Sequence, residues 1–422
     1  MIPELRKRFN QDFKAENYAA LSRMLEHRCG TRVEFRVAET PIFIPLFLLE
    51  EMAEAGAEMA HRLIADSAYR TAADAAIPFG YRVAGPVGHP NFLTADFAFV
   101  QNPEGQLTPR LVEIQAFPSV YGYQDVLADA YRNVFQLPPT LGSYLSGLDE
   151  SSYWRLLGET ILAGHDPENV VLTELDPQNQ KTLPDFNVTA RRLGISVVDI
   201  RSLEPSGNTL HYRNADGRLI PIRRIYNRAI ADELIARQVQ LPFDLGDPWN
   251  VEWAGHPNWY FLISKFSIPL LSSPPAAHPF VPPAVFLSDF LAGPGRTQLE
   301  ASGVPLPAPK ADAVYSELLL KPLFSFAGKG IQFDPTQAQL EAIPADQRAG
   351  FLLQQRMRFV PTIETPQGLT QAEIRILYLW PDQGTLTPAL SLVRLGRGKM
   401  MGVDHNKDQE WVGASAAFFP AR

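Results

Sequence analysis

The sequence predicts a mixed fold, α+β and α/β in character, with two or three lobes that share one cleft. A chain of 422 residues is longer than one hydrophobic core usually supports. Helical spacing opens the chain, a strand–helix–strand unit lies near its middle, and short strand-like runs fill its last third. This order of elements predicts several packed layers of helix and sheet.

The first part of the chain predicts helices followed by a hairpin. Residues 1 to about 75 carry apolar side chains three and four positions apart, as in Leu5, Phe9 and Phe13. The apolar run 41–49 is far shorter than the ~20 residues of a membrane-spanning helix. We therefore interpret this run as core that leads into a helix, and expect no membrane partner. From Phe92, the runs TADFAFVQ and LTPRLVEIQAF flank the turn sequence NPEGQ, which predicts an antiparallel hairpin.

The middle of the chain predicts a Rossmann-like parallel lobe. Between residue 169 and about residue 228, VVLTEL and ISVVDIRSL flank the helix-like stretch FNVTARRLG. The last apparent strand ends at Tyr226, Asn227 and Arg228, where strand ends line clefts, although structural hydrogen bonding would use the same residues. Segment 267–309 is crowded with proline and predicts a connection between lobes. The runs that follow predict a C-terminal third made mainly of β-sheet.

Composition excludes several classes of protein. The chain has 46 acidic and 38 basic residues, so its net charge of −8 lacks the basic footprint of a nucleic-acid-binding protein. Cys29 is the single cysteine, and the N-terminus reads as an amphipathic helix rather than a targeting segment. Both observations predict a cytoplasmic protein. His89, His256 and His405 lack the HxxxH spacing and argue against a zinc site.

The sequence LLLKPLFSFAGKGI has the features of a phosphate-binding turn. Lys321 ends a strand-like run, and Ser325, Gly328, Lys329 and Gly330 follow it. Small residues let backbone N–H groups approach phosphate oxygens, and an ammonium neutralises part of their charge. The lysine precedes the glycines, so this is not the motif of P-loop enzymes. The alternative interpretation is an exposed lysine followed by a tight glycine turn.

A second group of polar residues lies in the predicted hairpin. Glu113 and Gln115 are two positions apart on one strand and therefore point to the same face. Strict alternation places Leu111 on that face as well, and places on the other face Val112, Ile114 and Ala116. Asp96, on the partner strand, could join the acid and the amide to bind Mg²⁺ together with phosphate oxygens. The alternative is a hairpin that faces solvent.

The order of short motifs along the chain resembles that of circularly permuted ATP-grasp ligases. These motifs are EIQ, HPNWYFLISKFS, LLLKPLFSFAGKGI, FLLQQRM, AEIRILYLW and SLVRLGRGKMMGVDHNKDQEWVGASAAF. Eukaryotic-type glutathione synthetase and glutathionylspermidine synthetase are the enzymes it is most similar to, over roughly 90–120 and 255–420. The resemblance implies an ATP-grasp fold in three parts. They are a helical N-terminal region with a metal-binding hairpin (1–150), a Rossmann-like substrate lobe (151–270), and a nucleotide-binding lid and core sheet (271–422).

The resemblance also implies roles for individual residues. The implied magnesium ligands are Glu113, Gln115 and Asp96, with Gln115 standing where the family has Asn. Nucleotide contacts are implied for Lys321, Lys265, Ser325, Ala327, Gly328, Lys329, Gly330, Gln354, Gln355 and Glu373. Catalytic or loop contacts are implied for Arg394, Arg375 and Asn406. The alternative for Glu373 and Arg375, two apart on one strand, is a charge pair on the wet face of a sheet.

The function implied by the resemblance is that of an ATP- and Mg²⁺-dependent ligase. Such an enzyme joins the carboxylate of a small molecule or peptide to an amine through an acylphosphate. One alternative keeps the fold but phosphorylates a hydroxyl, as a kinase does. Another is a non-catalytic nucleotide-binding or interaction protein, motivated by Gln115 and by a glycine loop that lacks the acid of eukaryotic glutathione synthetase. The sequence specifies neither the acid and amine nor the oligomeric state.

Overall fold

The computed structural model of the protein describes residues 1–85, 87–102, 104–325, 328, 330–398, 401 and 408–421. Its helices are α1, Pro3–Asp12; α2, Ala15–Cys29; α3, Leu46–Ala65; α4, Ser67–Ala75; α5, Tyr121–Val134; α6, Glu150–Leu162; α7, Leu183–Leu193; α8, Ala231–Ala236; α9, Trp259–Leu262; α10, Ile268–Leu271; α11, Leu287–Ala292; α12, Pro294–Ala301; and α13, Gln337–Glu341. Within the described ranges, no helix combines the length and the apolar character that crossing a membrane requires.

The strands follow the same chain order. They are β1, Ile42–Phe43; β2, Phe92–Gln101; β3, Leu107–Gln115; β4, Leu141–Gly142; β5, Val170–Glu174; β6, Ser196–Asp199; β7, Glu204–Ser206; β8, Thr209–Arg213; β9, Leu219–Pro221; β10, Arg224–Asn227; β11, Glu252–Ala254; β12, Ala284–Phe286; β13, Leu318–Pro322; β14, Gln332–Phe333; β15, Phe351–Gln355; β16, Ile363–Thr365; β17, Gly368–Leu379; β18, Thr387–Gly396; and β19, Gly413–Pro420. The mixed fold of helices and several sheets that the sequence predicted is confirmed.

The predicted helices of the first 75 residues form α1 to α4, with a gap around β1. Gly30, in the left-handed conformation with φ of +65°, ends α2. Pro45 precedes α3, so the buried run before it leads into a helix as predicted. The gap allows β1 to pair with β19 at the far end of the chain.

The largest sheet joins the two ends of the chain. Its order is β1-β19-β18-β17-β2-β3, with β16 attached to β17 and β4 attached to β19. Strands β2 and β3 are antiparallel neighbours, which confirms the predicted hairpin. Strand β2 also pairs with β17, so a hairpin from the first third lies beside strands from the last. We call this the central sheet.

The middle of the chain forms a parallel sheet of order β11-β10-β5-β6. Helix α7 connects β5 to β6, which confirms the predicted strand–helix–strand unit. A small antiparallel sheet of β7, β8 and β9 follows it. The division of the chain into three domains at residues 150 and 270 stays a prediction.

The proline-rich segment is more regular than its composition indicated. It contains α10, β12, α11 and α12, and β12 pairs with β15 in an antiparallel sheet of order β12-β15-β13-β14. The expectation that these prolines interrupt regular structure is therefore wrong, while the placement of a connection between lobes here stays a prediction. Its prolines are compatible with regular structure because Pro269 and Pro294 occupy the first turn of their helices, where an N–H group has no helical partner.

The two faces of the central sheet are covered by different helices. One face packs Ala95, Ile114 and Ile374 into a core with Leu49 and Met52 of α3. The other face packs α5 against β18 and β19 through a core that includes Leu127, Tyr131, Leu377, Leu390 and Phe418. Side chains alternate between faces along a strand. The strand residues that alternate with those of the α3 core therefore point to the opposite face, on the side of α5. They lie outside the apolar core of that face.

A β-bulge corrects the predicted facing of the hairpin. Asp96 lies opposite Glu113, but Phe97 lies opposite Leu111, so Val112 is an extra residue in β3. The prediction that Leu111 shares a face with Glu113 is wrong, because Leu111 packs in the α3 core. Because of the bulge, Glu113 lies opposite Asp96 while Leu111, earlier in β3, still faces the α3 core.

Candidate functional site: a charged basin

A cluster of buried charges lies on the α5 side of the central sheet, where β13 and β15 approach β3. We call it the charged basin, and define it by Asp96, Glu113, Lys265, Lys321, Gln354, Glu373, Arg375 and Arg394. All eight are among the residues that the sequence singled out. The structure brings them together from the central sheet, the β12–β15 sheet and the short turn around Lys265.

Arg375 and Asp96 form a bidentate ion pair in the basin. The two residues are cross-strand partners on β17 and β2. Arg375 donates from Nε to Asp96 Oδ1 and from Nη2 to Asp96 Oδ2, each at 2.6 Å. Nη2 also lies 3.6 Å from Glu113 Oε1, and Nη1 donates to Ser119 Oγ at 3.4 Å. This geometry excludes the wet-face interpretation of Arg375, whose guanidinium is enclosed by carboxylates.

Arg394 connects the same acid to a second one. Its Nη1 lies 3.1 Å from Asp96 Oδ2 and donates to Glu373 Oε1. Burial acts to raise the pKa of Asp96, but the guanidinium groups of Arg375 and Arg394 outweigh it and hold that pKa below its ordinary value. Burial raises the pKa of Glu373 despite Arg394, and the charges of Asp96 and Glu113 raise it further.

Two buried lysines complete the basin from the other side. Lys321 donates to Gln354 Oε1 at 2.6 Å and to the carbonyl of the bulge residue Val112 at 3.5 Å. Lys265 lies 3.5 Å from Glu113 Oε2 and donates to the carbonyl of Ser325. Burial lowers the pKa of Lys321 to about 8, against the opposing attraction of Glu113. The prediction that Lys321 ends a strand is confirmed, and its exposed-lysine alternative is wrong because only 3% of the residue is exposed.

Two polar atoms, one in the basin and one beside it, are buried without a partner in the described part of the chain. They are Gln354 Nε2 and Ser325 Oγ. Buried polar groups are normally hydrogen-bonded, and an unpaired one costs about 1–3 kcal/mol. Because Lys321 already donates to the Gln354 oxygen, the amide nitrogen is left as a free donor beside the ammonium. A ligand with acceptor oxygens would satisfy both atoms.

The glycine turn follows β13 directly. Gly328 and Gly330 have φ of +71° and +77°, values that favour glycine, while the predicted contacts Ala327 and Lys329 lie outside the described residues, as does Asn406. A Cβ added to Gly330 would lie 2.8 Å from Pro322 Cγ. The turn therefore packs its backbone against the strand that carries Lys321.

We expect Gly330→Ala to lower the free energy of unfolding by about 1–3 kcal/mol, because it adds backbone strain and a contact with Pro322. Urea titration measures the change. Gly303→Ala is the matched control, because Gly303 has a similar φ of +80° but open space around the added Cβ. Equal losses in the two variants would show that the approach to Pro322 is unimportant.

The basin has an excess of positive charge. Four cationic side chains face three carboxylates, and the raised pKa of Glu373 weakens one of those negative charges. A buried cationic excess of this kind favours an anion such as a phosphate or carboxylate. The residues do not fit a protein-bound metal ion in this arrangement. Both oxygens of Asp96 accept from guanidinium groups, and among the described residues no three acidic, His or Cys side chains are grouped to hold a metal.

The remaining predicted residues lie at the margins of the basin. Gln115 is opposite Thr94, two pairs further along the hairpin than Glu113. Gln355 ends β15 and pairs with Leu318. The metal, nucleotide and catalytic roles of these residues stay predictions. Sequence reasoning missed Ser119, which lies in the loop between β3 and α5 and contacts Arg375; a serine in an irregular loop gives no signal.

Arg228 joins the parallel sheet to the loop that precedes α5. Its guanidinium donates to Asp185 Oδ2 at 2.8 Å and to the carbonyl of Ser119, so it ties the end of β10 to α7 and to the loop beside Arg375. Asp185 Oδ1 also accepts from the backbone of Tyr123 at 3.0 Å. The structural alternative raised for Arg228 therefore has direct support, since Asp185 neutralises its charge inside the protein.

The fold and the basin define a class of structure, a mixed α/β protein with a buried cationic site between two sheets. No protein-family model matches the chain, and no curated protein matches it in sequence. Among solved structures it is similar to a glutathione synthetase-like effector (GSS30) from Globodera pallida in its apo form. That likeness has a TM-score of 0.55 and 11% sequence identity, and covers 96% of each chain. The protein therefore has a glutathione synthetase-like fold.

Proposed function

We propose that the protein is an ATP-dependent carboxylate–amine ligase of the ATP-grasp type, with circularly permuted motif order. The observation that carries the proposal is the charged basin, in which two buried lysines lie beside a glycine turn. Positioned cations stabilise the charge of a transferring phosphoryl group, and they act most strongly where water is excluded. The glutathione synthetase-like fold supports the proposal at the level of fold alone.

In the proposed reaction, an oxygen of the substrate carboxylate attacks the γ-phosphorus of ATP. A new O–P bond forms, the bond from the γ-phosphorus to the bridging oxygen breaks, and ADP leaves. An amine then attacks the carbonyl carbon of the acylphosphate, the C–O bond to the phosphate breaks, the nitrogen loses a proton to solvent, and an amide and inorganic phosphate result. Lys321 and Lys265 would neutralise the phosphate charge, and Arg394 would meet the acylphosphate. The unpaired donors Gln354 Nε2 and Ser325 Oγ would bond phosphate oxygens.

Mg²⁺ belongs to the proposal as the ion that accompanies ATP in solution. Glu113 is the carboxylate best placed to meet it, since 19% of its side chain is exposed and its contacts to cations are longer than 3.4 Å. No step above depends on a metal held by the protein. The substrates proposed are the carboxylate of a small molecule or peptide and an amine, and the proposed location is the cytoplasm.

The test is ADP release with panels of acids and amines. We expect release that requires both an acid and an amine, and trapping of the acylphosphate by hydroxylamine as a hydroxamate. Release stimulated by alcohols, with a phosphate ester as product, would instead make the protein a kinase. Nucleotide binding without release under any combination would leave a non-catalytic binding protein.

A further inference from the structure

Arg375 stands between the two carboxylates for which the family resemblance implies a magnesium ion. Its Nη2 lies 2.6 Å from Asp96 Oδ2 and 3.6 Å from Glu113 Oε1, while its Nε takes the other oxygen of Asp96. We propose that the guanidinium of Arg375 replaces a protein-bound divalent metal, as a permanent internal cation that bridges Asp96 and Glu113. Asp96 is then a positioning residue for Arg375 and Arg394, rather than a metal ligand.

The register of the central sheet produces this arrangement. Arg375 on β17 is opposite Asp96 on β2, and Asp96 is opposite Glu113 on β3, so the three residues form one row across three strands. Residues directly opposite each other in antiparallel strands have Cβ atoms about 4.5–5.5 Å apart. The row is therefore fixed by backbone pairing and does not depend on the position of a loop.

Mg²⁺ and the guanidinium of Arg375 cannot both bind Asp96 at the same time, because their bonding requirements differ. Mg²⁺ requires oxygen ligands in near-octahedral geometry at about 2.0–2.1 Å. A guanidinium is planar, stays protonated, and satisfies a carboxylate through two parallel N–H donors. Asp96 makes this bidentate pair with Arg375, and Arg394 makes a further contact with Oδ2. A metal bound to Asp96 would have to displace Arg375 and would then face its positive charge.

The inference deepens the proposed function and rests on it for the identity of the anion. If the anion is a nucleotide, its phosphates meet Arg375 and the two lysines directly. We therefore expect ADP to bind with similar affinity in Mg²⁺ and in EDTA. Sites that use carboxylates to hold the metal would instead lose ADP affinity when the metal is removed.

Removal of the guanidinium should turn the row into a metal site. Titration of Mn²⁺ alone, followed by calorimetry and by the electron spin resonance of free Mn²⁺, measures this without any substrate. We expect weak binding to the wild type and at least about tenfold tighter binding to Arg375→Ala, because Asp96 and Glu113 lose their competing cation. Arg394→Ala is the control, since it leaves Arg375 on both oxygens of Asp96 and should gain no site.

The outcomes separate this inference from the proposed function. Tight Mn²⁺ binding by the wild type would by itself overturn the inference, and that measurement needs no variant to fold. If Arg375→Ala gains the site and Arg375→Ala/Asp96→Ala loses it again, the inference stands. ADP binding that requires Mg²⁺ would overturn the inference while supporting nucleotide binding. Failure of ADP to bind under either condition would remove the proposed function and leave the Mn²⁺ result to decide the inference.

Discussion

Lys321→Met is expected to weaken ADP binding by about 2–5 kcal/mol, which is roughly 30-fold to several-thousand-fold. Removal of one member of a buried, hydrogen-bonded charge pair has an effect of this size. The ammonium of Lys321 is buried and lies next to the free donor of Gln354. Methionine has similar length and no charge, so the variant removes the electrostatic contribution and preserves most of the packing. Titration calorimetry with ADP measures the loss.

Two controls make this result specific. Lys310→Met changes an exposed lysine outside the basin and should leave ADP binding unaltered. The stability of Lys321→Met is measured beside it by urea unfolding, because the variant removes a buried ammonium but also leaves the buried Gln354 oxygen without its donor. An equal loss of affinity in Lys310→Met would contradict the assignment of Lys321 as the principal phosphate contact.

The same lysine predicts the pH dependence of binding. Its pKa is lowered to about 8, chiefly by burial. Below that pH the side chain is an ammonium that attracts phosphate, and above it the amine is neutral. ADP affinity of the wild type should therefore fall as the pH rises through about 8, and Lys321→Met should lack this decline. A wild-type profile that stays level from pH 7 to 9 would argue against Lys321.

Asp185→Ala is expected to lower the free energy of unfolding by about 3–5 kcal/mol, because it leaves the Arg228 guanidinium buried without its counter-charge. Only 5% of the Arg228 side chain and 0% of the Asp185 side chain are exposed, and the pair joins β10 to α7. Urea unfolding measures the change. The loss also releases the backbone N–H of Tyr123 from its acceptor.

A double variant and an exposed ion pair test whether the buried charge of Arg228 causes this loss of stability. Asp185→Leu/Arg228→Met replaces the ion pair with apolar side chains and should recover most of the stability lost in Asp185→Ala. Asp74→Ala breaks the exposed pair with Arg82 and should cost less than about 1 kcal/mol, since the Asp74 side chain is 42% exposed and that of Arg82 is 50% exposed. Similar losses for Asp185→Ala and Asp74→Ala would show that the buried charge is not the source of the effect.

The sequence predicted the local elements of the basin better than their arrangement. Lys321 was found because a strand, a lysine and small residues are adjacent in the chain, and Glu113 because two polar residues alternate with apolar ones. Both signals are local, so periodicity and turn chemistry suffice to find them. Glu373, Arg375 and Arg394 were selected through the family resemblance rather than through spacing.

What the sequence could not predict depends on strand pairing. Arg375 contacts Asp96 because β17 pairs with β2, although the two residues are 279 positions apart in the chain. Alternation also failed at Leu111, because a single extra residue at Val112 reverses the facing of everything before it. The metal role of Asp96 stays a prediction, and it is the register that shows the guanidinium of Arg375 beside this carboxylate.

The closure of the central sheet by both ends of the chain has a consequence for synthesis on the ribosome. Strands β2 and β3 are made early, but their neighbour β17 emerges only after roughly 250 further residues, and β1 waits longer for β19. Contacts of such long sequence separation form slowly. Until then β2 presents an unpaired, largely apolar edge of the kind that recruits other chains. We expect nascent chains released before residue 368 to aggregate or to require a chaperone, whereas chains that include β17 protect that edge themselves.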